Sequence, residues 1–248
     1  MLTESYFRKQ KLHSWWEKQK FKSNRELQNT PYKYIQSEFL KKYFLKNLKK
    51  KRVMEVGCGN GYYCFQMSKY AKKVIGVDYE NDYIKNAQKK QNTKIQFINC
   101  DLSKVKNFSR KIGNQKFDFI FMIDFFLFLF QMDFQKDLFI NKFKIFNQLK
   151  KSLKDNGKVI VIDPHLFWLT PFFGSKEKPF GILTDYNSKS FSTTPTLQTT
   201  ANFFSKCGFS ISNIYEPTVG QKYKKINKIN FEYFKNFPQW IVYEIIKK

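Results

Sequence analysis

The chain is poor in the residues that build metal clusters, disulfide frameworks and membrane spans. Its four cysteines, Cys58, Cys64, Cys100 and Cys207, form no C-x-x-C pair and show no disulfide-like spacing, and there are only two histidines, His13 and His165. That leaves no ligand set for a zinc cluster, and free thiols suit a reducing compartment. Long apolar runs are missing too. The most apolar stretch, FIFMIDFFLFLF over 119–130, carries Asp124 in its middle. It falls short of the ~20 residues that cross a bilayer and reads as a buried strand followed by an apolar loop. The first residues, MLTESYFRKQKLHSWWEKQKFK, contain no apolar segment of the kind found in a signal peptide. These absences predict a soluble cytoplasmic chain with no metal and no membrane span. Acids are scarce as well: 20 Asp and Glu stand against 45 Lys and Arg, a formal charge of +25.

What is present is ample for a globular core. With 248 residues, 42% hydrophobic and 19% aromatic, the chain suits one well-cored α/β domain or at most two small ones. The charge has two readings. Lys, Asn, Ile, Phe and Tyr are abundant together, as A+T-rich codon usage would produce. A preference for an anionic partner is the other reading, and either one makes polyanions stick at low salt. The densest basic run is KKYFLKNLKKKR, and residues 1–52 hold fifteen Lys and Arg against four Glu.

From residue 52 the chain alternates strand-like and helix-like blocks. KRVMEV, KKVIGVD, KIQFINCD, FDFIFMID and KVIVID read as strands; GYYCFQMSKYA and YIKNAQKKQ read as helices. FQKDLFINKFKIFNQLKKSLK carries Leu138, Phe139, Phe143, Phe146, Leu149 and Leu153 at helical spacing, and DNG, with Gly157, is expected to stop it. Such alternation predicts a parallel sheet covered by helices on both faces, with ligands at the strand C-termini. TLQTTANFFSKCGF reads as a further helix, and FSISNIYEP and QWIVYEIIKK as two closing strands around a basic linker. Residues 1–50 read as a helical cap, 51–248 as the main domain, and the aromatic, Pro- and Gly-punctuated stretch 164–195 as a lid or acceptor-binding insertion.

The stretch RVMEVGCGNGYY carries the chemistry. A dinucleotide fingerprint G-x-G-x-x-G counted from Gly57 would need a third glycine at position 62, which is Tyr, and a Walker loop would need Gly-Lys-Ser/Thr. The actual spacing is Glu55, Gly57, Gly59, Gly61. VMEVGCGNG resembles the E/D-x-G-x-G-x-G motif of class I S-adenosylmethionine-dependent methyltransferases. Further landmarks follow in register: VIGVD ending in Asp78, FINCDL with Asp101, FDFIFMID ending in Asp124, and LKDNGKVIVID. The resemblance covers roughly residues 50–164. It implies a Rossmann-like α/β fold with a mostly parallel seven-stranded sheet and an antiparallel last strand.

The resemblance also implies S-adenosyl-L-methionine as cofactor, with S-adenosyl-L-homocysteine as product. Glu55 and the loop residues Gly57, Cys58, Gly59 and Gly61 would lie by the methionine part. Asp78, with Tyr79 beside it, would accept the ribose hydroxyls, and Asp101 and Leu102 would flank adenine. Asp124 would sit at the mouth, near the sulfonium and the acceptor. Any one of these acids alone reads as well as a helix cap or a solvated turn.

Transfer of an activated methyl needs alignment and exclusion of water, and a hydroxyl or ammonium acceptor must also lose a proton. His165, in DPHLFW, is the leading general-base candidate, with Asp124 as an orienting group and Asp163 a weaker choice. The aromatic segments HLFWLTPFF, SWW and PYKY are candidates to close over the acceptor. DFFL stands where amino-methylating nucleic-acid enzymes often carry D/N-P-P-Y/F, which disfavours methylation of an exocyclic base amine. The expected reaction is therefore biosynthetic O-methylation of a small-molecule or glycan-precursor acceptor, anionic through a phosphoryl or nucleotide group. RNA methylation is second, and a non-catalytic scaffold is disfavoured by the intact landmarks.

Overall fold

A computed structural model describes residues 31–106, 108–134, 141–165, 180–185, 190–229 and 231–248. Helix α1 (Pro31–Asn47) precedes β1 (Arg52–Val56), α2 (Tyr62–Met67), β2 (Lys73–Asp78), α3 (Asn81–Gln88) and β3 (Ile95–Asn99). Then come α4 (Phe108–Lys111), β4 (Phe117–Ile123), a 3-10 segment (Phe126–Phe134), α5 (Lys142–Ser152) and β5 (Leu153–Pro164). The described chain continues with β6 (Phe180–Asp185), β7 (Ser190–Pro195), α6 (Leu197–Lys206), β8 (Phe209–Tyr215), a short 3-10 helix (Gln221–Lys225), α7 (Phe231–Asn236) and β9 (Trp240–Lys247).

Seven strands form one sheet in the order β3-β2-β1-β4-β5-β9-β8. β1 to β5 pair in parallel, and β9 runs antiparallel to both β5 and β8, so the last strand in sequence is the reversed one. The mostly parallel sheet read from the sequence is the sheet observed. Its central strands are buried on both faces, which is why they read as unbroken apolar runs. On one face the core joins Phe44, Leu48, Met67 and Ile84 from α1, α2, α3 and their flanks; on the other it joins Phe108, Phe146, Leu149 and Phe204 from α4, α5 and α6. β6 and β7 pair as a separate antiparallel hairpin inside the 164–195 stretch.

Two local expectations are corrected. The helix before β5 stops at Ser152, not at DNG, because Leu153 already pairs with Phe117 as the first residue of β5. DNG instead falls in a register irregularity between the Phe117–Leu153 and Phe119–Lys158 pairs. A Cβ at Gly157 would come within 2.9 Å of the Phe117 carbonyl, so this glycine permits a close strand approach. The apolar run after β4 is a 3-10 segment rather than an open loop, and Phe126 packs on Phe146 and Phe204. Of the aromatic segments, Trp15, Trp16 and 166–173 lie outside the described residues.

Candidate active site

β1 delivers the glycine loop to the C-terminal rim of the sheet. The amides of Gly57 and Cys58 both donate to the Val77 carbonyl, at 2.8 and 3.2 Å, which ties the loop to the end of β2. Gly57 has φ +73°, and a Cβ there would lie 2.3 Å from the Phe125 ring. Gly59 has φ +50°, and among the described residues no heavy atom lies within 4 Å of where its Cβ would be. Its bare backbone is thus the part of the loop a ligand can approach closely.

Two carboxylates flank this loop. Asp78, at the end of β2, accepts from the Gly59 amide at 2.8 Å and the Glu80 amide at 2.9 Å. Burial raises its pKa, and these amide bonds oppose the rise without cancelling it. Glu55 is buried within β1 and accepts from the Cys64 thiol at 3.0 Å. Burial, with Asp78 and Asp124 adding like charge, pushes its pKa up to about 8. Asp101, just past β3, behaves differently. Burial alone would raise its pKa, but bonds from the Ser103 amide and hydroxyl and the Lys104 ammonium, 3.3 Å away, hold it below the usual range. Leu102 beside it is buried, whereas Tyr79 is mostly exposed.

Asp124, immediately past β4, has φ +55°, and its amide donates to the Ile162 carbonyl at 2.9 Å. Its carboxylate is gripped from α1: Lys33 forms an ion pair with it and the Gln36 amide donates at 3.1 Å. Gln36 in turn accepts from Lys33 at 2.9 Å and from the Tyr63 hydroxyl at 2.7 Å, and the Lys33 ammonium lies 4.8 Å from the centre of the Trp240 ring. Asp163, near the end of β5, is buried, and among the described residues neither oxygen has a hydrogen-bond partner. Burial and the Asp124 charge push its pKa well up; the dipoles of the Leu127 and Phe126 amides and the Lys33 charge oppose this.

His165 follows β5. Its amide donates to the Gln239 carbonyl at 2.9 Å, and its Nε2 lies 2.8 Å from a Glu216 carboxylate oxygen. The imidazole is 1% exposed and the Glu216 side chain 51%, so the pair runs from the interior to the surface. Lys33, Gln36, Tyr63 and Glu216 were not singled out in the sequence, and no local pattern marks them. Among the described residues no group of three or more His, Cys, Asp or Glu could hold a metal ion, and no helix is long and apolar enough to cross a membrane.

The glycine loop and the strand-end acids therefore share one rim. A family model described as a methyltransferase domain matches residues 47–187, more than half of the chain. The chain belongs to that methyltransferase family. The enzyme is S-adenosylmethionine-dependent, and S-adenosylmethionine is its cofactor. Solved structures share its fold. A protein from Listeria monocytogenes described as an S-adenosylmethionine-dependent methyltransferase is 16% identical, with a TM-score of 0.61 over 87% of this chain and 97% of that one. One from Mesorhizobium loti is also 16% identical, with a TM-score of 0.60 over 85% and 97%. DhpI, solved with SAM and HEP, is 14% identical, with a TM-score of 0.56 over 97% and 94%. No curated protein matches the sequence. In this methyltransferase the family-matched segment carries the glycine loop and the first four strand-end acids, while Lys33, Gln36, Glu216 and Trp240 lie outside it.

Proposed function

We propose that the methyltransferase O-methylates a small-molecule or glycan-precursor acceptor, with residues 51–248 as the catalytic domain, 1–50 as a helical cap and 164–195 as an acceptor-side insertion. The observation that carries the site assignment is the bare backbone of Gly59 beside the Asp78 carboxylate, which fits an adenosyl ligand held by its ribose. In this reading Glu55, Gly57, Cys58, Gly59 and Gly61 hold the methionine part, Asp78 and Tyr79 the ribose, and Asp101 and Leu102 the adenine. The cofactor supplies a methyl already activated on a sulfonium. What the chain adds is alignment, exclusion of water and removal of the acceptor's proton. Asp124, held in place by Lys33 and Gln36, orients the hydroxyl at the mouth. His165 takes its proton, and Glu216 stabilises the imidazolium that results.

The rim is acid-lined by Asp78, Asp101, Asp124, Asp163 and Glu216. A phosphoryl or nucleotide group on the acceptor therefore stays outside the mouth, drawn to the protein at long range by the net charge of +25. RNA as acceptor is the second reading and rests on the same charge; its phosphates would meet the acids of the rim. Extract supplied with radiolabelled methyl donor and separated by size tests both. Label in a small or glycan fraction supports the first reading, and label in a large ribonuclease-sensitive fraction replaces it with the second. His165→Ala should lower turnover at least about tenfold with cofactor affinity unchanged; unchanged turnover removes His165 from the mechanism.

A further inference from the structure

At the edge of the sheet remote from the acid rim, every strand meets a lysine or arginine. Lys51 and Arg52 open β1, Lys72 and Lys73 open β2, Lys94 precedes β3 and Lys116 precedes β4. Lys151 and Lys154 flank the start of β5, β9 ends in Lys247 and Lys248, and Lys206 closes α6 just before β8. All but Lys73 and Lys247 are exposed. Contacts join them along the edge: the Lys72 amide donates to the Lys51 carbonyl at 2.8 Å, Lys73 reaches the Thr93 carbonyl at 3.1 Å, and Lys247 reaches the Leu153 carbonyl at 2.8 Å. Among the described residues the carboxylates facing these cations are Asp118 and Asp155.

Codon-driven enrichment in lysine would place cations at both edges alike. Cations do stand on both sides, since Lys33, Lys104 and the linker lysines Lys222, Lys224 and Lys225 lie on the rim side. What differs is the carboxylates, which gather at the rim and, among the described residues, leave only Asp118 and Asp155 against the underside cations, so the underside carries the uncompensated positive charge. The turns on the cationic side also carry amides: Asn92 before Lys94, Asn114 and Gln115 before Lys116, Asn156 after Lys154. None of these turns holds an exposed large hydrophobic side chain. A membrane contact lasts when charge is joined by an apolar insertion or a second anchor. Cations interleaved with amides suit phosphates and sugars instead. Seven strands spaced ~4.8 Å apart make an edge of roughly 30 Å, which matches about nine phosphates of one strand at their duplex spacing.

We infer that this underside docks the phosphodiester backbone of a nucleic acid, read by charge and not by sequence. The docked chain is not the methyl acceptor at this face, because strands of five to seven residues put roughly 17–23 Å between the underside and the rim.

The test is fluorescence polarisation of the full chain with fluorescein-labelled duplexes of about 20 base pairs, one RNA and one DNA, between about 50 and 200 mM KCl. The variant Lys72→Glu/Lys94→Glu/Lys151→Glu is compared with Lys222→Glu/Lys225→Glu/Lys228→Glu, which makes the same charge change at exposed lysines elsewhere. The underside variant should bind at least about tenfold more weakly with a salt slope shallower by roughly 3, while the control stays within about threefold of wild type. Both should keep wild-type cofactor affinity by calorimetry, which separates lost docking from a lost fold. Equal loss in the two variants overturns the inference, as does binding to phosphatidylserine vesicles without binding to either duplex. A preference for one duplex names the nucleic acid.

Discussion

Asp118 and Glu55 sit in neighbouring strands of one sheet, β4 and β1, yet they live under opposite electrostatics. Asp118 lies at the underside, where burial would raise its pKa. Lys154 at 2.8 Å, the Arg52 amide at 2.8 Å and Lys51 at 3.9 Å hold it below the usual range instead. Glu55 lies toward the rim, has a thiol for a donor and other carboxylates nearby, and keeps its proton up to about pH 8. The surroundings of Asp118 make its carboxylate comfortable as an anion; those of Glu55 do not. Glu55 gives up stability that Asp118 keeps, which is the usual mark of a group arranged for a ligand rather than for the fold.

The sharpest way to break this contrast is at the loop. Gly57→Val puts a branched side chain at a positive φ and against the Phe125 ring. It should weaken cofactor binding by more than about a hundredfold and cost about 1–3 kcal/mol of stability. Calorimetry and thermal unfolding check the two parts, and wild-type affinity would remove the loop from the cofactor site. Asp78→Ala should come next. It takes away the acceptor of the Gly59 amide and should weaken cofactor binding roughly tenfold to a hundredfold, with the fold retained.

Glu55 sharpens the comparison through pH. Its folded pKa of about 8 stands above the ordinary 4.5, so between those values the native state holds a proton that the unfolded state has released. Stability contributed by this group must therefore fall as pH rises from about 4.5 and level off above about 8, by on the order of a few kcal/mol. Glu55→Gln should flatten that part of the stability–pH curve; an unchanged slope would mean another group carries it. Asp118→Asn is the smallest expected effect. Asp118 has a depressed pKa, so its contribution is present at neutral pH and is lost on acidification. The variant should cost about 1 kcal/mol or less, and less still at high salt.

The strands, the glycine loop and the strand-end acids were legible in the sequence because each is written locally: an apolar run, a glycine spacing, an acid where the run ends. What was illegible is long-range. Lys33 and Asp124 are 91 residues apart, and His165 and Glu216 are 51 apart; nothing beside either partner marks the other. Leu153 misled for a different reason. It satisfies the helical stripe of α5 and also opens β5, and pairing with Phe117 decided which role it takes. The 3-10 segment after β4 was illegible because its apolar opening run, FLFLF, carries no periodicity to read.

The grip of α1 on Asp124 has a consequence for how such an enzyme changes. In the proposed reading the cofactor is held by the glycine loop and the first strands, whereas Lys33, Gln36, Glu216 and Trp240 lie on either side of the family-matched residues 47–187. That reading has acceptor choice rewritten by exchanging the flanks, with the methyl donor's seat left untouched. A chimera that grafts foreign flanks onto residues 47–187 would inherit its old donor and a new clientele.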